Sequence, residues 1–144
     1  MKKKVRALLK EILEIKDRKD DFDERKFLML VDQTFDCMDL NIAKTLMKTF
    51  LEKQDYGTQE RVISAILRGG REIYIQVILE ELPRLKKEAK NWIDILLCPE
   101  IEHYPHTLEK IARTMPKDIK NILREFLSNN EILSEYPNAS NIVV

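Results

Sequence analysis

Apolar residues recur three and four positions apart along almost the whole chain, and this spacing constrains the fold more than any other feature. Val5, Leu8, Leu9, Ile12 and Ile15 make the first stripe. Side chains so spaced share one face of a helix with 3.6 residues per turn. The acids Asp20, Asp21 and Asp23 then stand where a helix N-terminus favours negative charge. A second helix follows them, with Phe27, Leu28, Val31, Phe35 and Met38 expected inward. A third begins near Asn41 and carries Ile42, Leu46, Met47 and Phe50. Tyr56-Gly57 reads as a break, with Thr58 as the N-cap of a fourth helix bearing Val62, Ala65 and Ile66. Gly69-Gly70 ends that helix, since glycine readily takes the left-handed C-terminal conformation.

Prolines punctuate the second half. Tyr74, Val77, Ile78 and Leu82 form a fifth stripe, which Pro83 is expected to kink or stop near Leu82. Ala89, Trp92, Ile93, Leu96 and Leu97 define a sixth helix that Pro99 is expected to close. Leu108, Ile111, Ala112 and Met115 mark a seventh. Pro116 opens an eighth carrying Ile119, Ile122, Leu123, Phe126 and Leu127. A ninth turn runs from Glu131 to Tyr136. No strong strand signal competes; Ile73-Tyr74-Ile75 is β-prone, but its neighbours continue a helical stripe. The reading is therefore all-α, with about eight or nine short helices. Residues 1–136 are expected to form one helical domain, with 137–144 as a C-terminal tail, loose or lying against the body. Helical pairs at 41–67, 71–97 and 107–127 suggest an irregular HEAT- or armadillo-like α-solenoid of helical hairpins, with an irregular bundle as its competitor.

Charge narrows the function. Twenty-five basic and 25 acidic residues cancel, so the chain lacks the overall basic excess common in nucleic-acid binders. The lysines at the N-terminus begin like a signal peptide, but Arg6, Lys10, Glu11 and Glu14 interrupt what would be its apolar segment. No apolar run approaches the ~20 residues that span a bilayer. A cytoplasmic protein is expected, and two isolated cysteines, Cys37 and Cys98, fit that better than a disulfide framework.

Chemistry is sparse. Cys98, His103 and His106 give a spacing that invites comparison with zinc sites, but the second cysteine pair of a finger is missing. A Cys98–histidine nucleophile pair would need backbone donors that no glycine-rich loop supplies. Glu80 and Glu81 are neighbours rather than a facing pair across a cleft. No phosphate-binding loop or zinc-protease motif occurs. The expectation is a chain without catalytic, cofactor or metal residues. Arg84, Lys86, Lys87 and Lys90 form a basic cluster that Glu88 interrupts, with no aromatic among them for stacking on bases.

The opposite charge is more informative. From Asn91 to Glu109 there is no lysine or arginine, while Asp94, Glu100, Glu102 and Glu109 contribute acids. Tyr104 stands among them, a residue type enriched at interface anchors. The stretch from Asp55 to Glu60, with Tyr56, has similar character. In a stack of hairpins, alternate connectors project on one edge, and such an edge would steer a basic protein partner. Asp55, Tyr56, Glu60, Asp94, Glu100, Glu102, His103 and Tyr104 are the candidate contact residues. Solvation of the connectors is the plainer explanation of the same acids.

The run from Tyr56 to Leu97 resembles a bacterial family of small, HEAT-like all-helical immunity proteins made beside polymorphic toxins, including those of contact-dependent growth inhibition. The resemblance lies in Tyr74, Val77, Leu79, Glu81-Leu82-Pro83, Leu85, Ala89, Trp92, Leu96 and Leu97. These are chiefly core and hinge positions, so they speak for fold more than for partner. Ile66-Leu67-Arg68-Gly69-Gly70 departs from the family's His-x-x-Glu-like ending of the fourth helix, and no role is carried over from that ending. The resemblance implies a stoichiometric inhibitor. Its partner would be a cognate toxin's C-terminal domain, a nuclease in many such systems, bound by a monomer in a 1:1 complex without direct contact to nucleic acid or membrane. A helical scaffold or adaptor is the alternative, and an enzyme with an unfamiliar helical site the third.

Overall fold

The computed structural model describes residues 2–53 and 55–144. All regular structure among them is helical: α1 (Lys3–Glu14), α2 (Asp21–Asp32), α3 (Leu40–Met47), α4 (Tyr56–Leu67), α5 (Arg71–Glu80), α6 (Leu82–Glu88), α7 (Lys90–His103), α8 (Pro105–Ala112), α9 (Lys117–Leu127) and α10 (Asn130–Glu135), then a 3-10 turn (Pro137–Asn141). The all-α expectation holds. No described helix is long and apolar enough to cross a membrane. The chain divides within α5 into two compact units, residues 1–74 and 75–144.

In the first unit, α1 packs on α2 and α3 on α4, while α1 meets α3 and α2 meets α4. Two helical hairpins are thus laid side by side, and α3–α4 is the pair expected at 41–67. Ile12, Phe27, Val31, Ile42, Leu46, Met47, Phe50, Val62 and Ile66 are fully buried. Asp20 and Asp39 cap α2 and α3, their carboxylates accepting from Asp23 N (2.8 Å) and Ile42 N (2.9 Å). Each satisfies a backbone donor that has no partner inside the helix. α2 ends at Asp32, so Phe35 and Met38 follow it in half-buried turns, and Leu30 takes the inward place.

Thr58 is not an N-cap. α4 starts at Tyr56, and the Thr58 hydroxyl is buried inside it, donating to Glu24 Oε1 at 2.5 Å. Tyr56-Gly57 forms the first turn rather than a break. The end of α4 follows expectation: Gly69 N and Gly70 N donate to Ile66 O and Leu67 O, and Gly70 has φ +102°.

In the second unit, α7 packs on α6, α8 and the 3-10 turn, and α9 on α6 and α10. The break expected near Leu82 is present, and Pro83 lies just beyond it. α5 stops at Glu80, and Pro83 stands in the first turn of α6, where its missing N–H costs nothing. The helix read around Trp92 is α7, and α6 before it, ending at Glu88, is an element the sequence reading did not separate. Pro99 does not close α7, for the helix runs on to His103. Pro99 and Ile95, whose carbonyl loses its usual donor, both lie on the exposed side of the helix.

The C-terminal segment is docked. Ala139 and Ile142 are buried. Asn138 Nδ2 donates to Glu102 O (3.0 Å), Arg113 Nε to Val143 O (3.2 Å), Val143 N to Glu109 Oε1 (2.8 Å) and Arg124 Nε to Val144 O (2.6 Å). Of the two alternatives for residues 137–144, the structure shows the one lying against the body.

Candidate protein-binding face

α7 owes its amphipathic form to the spacing of its large residues. Trp92, Ile93, Leu96, Leu97 and Ile101 are buried, adjacent pairs and their neighbours three or four residues on sharing one face of the helix. Asn91, Asp94, Ile95, Pro99 and Glu102 fall on the other side and are exposed. They make one outward stripe that ends in His103 and Tyr104. Ile95 and Tyr104 are both 39% exposed, so the stripe pairs apolar surface with carboxylates. His103 Nε2 lies 3.7 Å from Glu102 Oε2, and the His103 ring meets the Tyr104 ring edge-on at 6.4 Å.

Glu100 does not belong to this stripe. It is 2% exposed, because nine residues on from Asn91 the helix has turned about half a revolution further. The acidic connector expected at Asn91–Glu109 is in fact nearly all of α7 and most of α8, and helical geometry sends its acids to different sides. Glu109 bonds Val143 N and lies 3.6 Å from Arg113 Nη2. Asp94 and Glu102 are the carboxylates the stripe presents outward.

The candidates of the first unit divide likewise. Asp55 turns inward: its carboxylate accepts from Arg18 Nε at 2.8 Å and from Gln59 Nε2, with the side chain 12% exposed. Tyr56 and Glu60 are exposed one turn apart on α4. Arg18 was not singled out by sequence. Its side chain is fully buried, with the residue in the left-handed region at φ 46°. Its guanidinium donates to Lys16 O (2.7 Å) and Thr49 O (3.2 Å) and stacks on Phe27 at 4.6 Å. Lys53 Nζ completes the cluster by donating to Asp17 O (2.8 Å) and Arg18 O (2.7 Å).

Cys98 is buried in α7 with its thiol hydrogen-bonded to Tyr136. Burial first, and then the nearby Asp94 carboxylate, push that thiol up to about 11. At neutral pH it is protonated and a poor nucleophile. His103 is exposed at the end of the same helix, and His106 is exposed on α8. Among the described residues no three His, Cys, Asp or Glu side chains are grouped to hold a metal ion.

Beside the stripe is a groove of about 370 Å³, with Leu82, Ile93, Leu97, Ile122, Phe126 and Ile132 among its lining and Asp94 at its edge. Lys86 Nζ and Glu125 Oε2, also in its lining, stand 3.7 Å apart. Comparison of the chain with protein-family models, curated proteins and solved structures found no match.

Proposed function

We propose that this chain is a non-catalytic inhibitor that binds a basic protein partner, as an immunity protein binds the toxin domain made beside it. The observation that carries the reading is the α7 stripe: Asp94 and Glu102 exposed among Ile95, Pro99 and Tyr104, in a stretch with no lysine or arginine. Apolar anchors beside carboxylates suit a partner whose own anchors lie among lysines and arginines. A nuclease is such a partner, because its cleft must hold phosphates. Carboxylates lodged there would stand where the nucleic acid's phosphates otherwise lie. The sequence resemblance supports the same reading, as does a protonated, buried Cys98 that offers no ready nucleophile. Cytoplasmic location and a 1:1 complex belong to this proposal.

The test is to recover the tagged chain from its native cell, identify what accompanies it, and ask whether the chain rescues growth when that companion is expressed alone. One companion in near-equal amount, toxic by itself and harmless with the chain present, is the expected result. Several weak companions and no rescue would sink the inhibitor and favour the scaffold. Reversal of Asp94 and Glu102 to lysine should slow association with the toxin about tenfold at low salt.

A further inference from the structure

Among the described helices the two most exposed large apolar side chains are both on α2: Phe22 at 74% and Met29 at 63%. They are seven residues apart, two helical turns, and so share a face. Between them on that face stand Arg25 and Lys26, three and four residues on from Phe22 and four and three before Met29. The four form a diamond with apolar tips and a basic waist. Neither base has a hydrogen-bond or ion-pair partner among the described residues. Asp32, on the flank, is already held by Arg61 through two bonds of 2.9 Å. Asp21 sits about a quarter-turn aside of Phe22.

An exposed apolar patch rimmed by polar residues marks an interaction surface. The charge pattern then selects the occupant. A second copy laid antiparallel along α2, with Phe22 against Met29, would set Arg25 against Lys26 of its mate, which is repulsive. A membrane surface is a poor fit to two apolar side chains on a helix whose remaining exposed residues include Asp21 and Asp32. We infer that the outer face of α2 docks an acidic amphipathic helix of another protein, with two apolar residues seven apart and carboxylates between them. No residue of this face is shared with the α7 stripe, so either reading survives failure of the other.

The probes are a synthetic helical peptide with two leucines seven residues apart and two glutamates between them, and its counterpart with lysines. The whole chain is titrated with each, and backbone amide shifts report where they bind. The glutamate peptide should perturb α2 and the lysine peptide should not. R25E/K26E should weaken the glutamate peptide about tenfold or more and transfer preference to the lysine peptide. F22S/M29S should lose both. These side chains are exposed, so the variants keep the fold, as circular dichroism will report. The inference is overturned if neither peptide binds at millimolar concentration, if both bind alike, or if shifts fall away from α2. It is also overturned if the chain self-associates through α2, or if it sediments with phosphatidylserine vesicles in a way that Arg25 and Lys26 control.

Discussion

At the scale of single residues, the side chain that most repays scrutiny is Arg18, and nothing in the sequence sets it apart. It lies in a run of charges, Lys16-Asp17-Arg18-Lys19-Asp20, that reads as a solvated turn. Its burial depends on acceptors brought from residues 49 and 55, which no local pattern announces. R18M should destabilise the protein by roughly 3 kcal/mol in urea unfolding, because Asp55 and two carbonyls lose a charged donor that water cannot reach well enough to replace. Cys98 gives a pH signature. Its folded value of about 11 lies above the ordinary 9.0, so the folded state holds the proton where the unfolded state releases it. The associated stability is fully present below about pH 9 and is lost as pH rises towards about 11. The Tyr136 hydroxyl, raised chiefly by the Cys98 charge, moves the same way. Urea midpoints measured across that range should fall less steeply in C98S. The exposed Cys37 should be alkylated at neutral pH long before Cys98.

Elements were legible where periodicity alone decides them and illegible where a proline or glycine carries two meanings. The stripes of α1, α4, α7 and α9 follow from spacing, and Val62, Trp92 and Leu123 are all buried as read. Pro99 was misread as a stop, whereas the break expected at Pro83 is there, with the proline in the first turn of the next helix. Proline is compatible with a first helical turn, and on an exposed face with an interior one, and the choice rests on packing rather than on the residue. Gly57 and Gly70 make the same point. A Cβ at either meets nothing within 4 Å, so the backbone alone decides the effect of substitution. G70A should cost about 1 kcal/mol, since φ +102° is strained for alanine. G57A, in the first turn of α4, should stabilise by about 0.5 kcal/mol. Opposite shifts in thermal midpoint would check both.

At the scale of the whole molecule, the all-α class was legible and the hairpin order partly so. α1–α2 and α3–α4 sit side by side as paired helices do in solenoids. In the second unit α6, missing from the sequence reading, takes up α9, and the expected pairing is lost. The candidate face was legible as a stretch without lysine or arginine, but not as a surface. Only the helical phase of α7 removes Glu100 and admits Ile95 and Pro99. Reversing Glu100 should therefore unfold the second unit, whereas reversing Glu102 should leave the melting curve nearly unchanged. Deleting 137–144 should lower stability by roughly 2 kcal/mol through loss of the buried Ile142 and Ala139, readable as a lower urea midpoint. The Arg18 cluster has a further consequence. Arg18 and Lys53 tie the α1–α2 loop to the segment after α3, so neither loop can open without stranding charge in the other. Their amides should exchange with solvent as one cooperative unit, at a common rate, and R18M should split that rate into two.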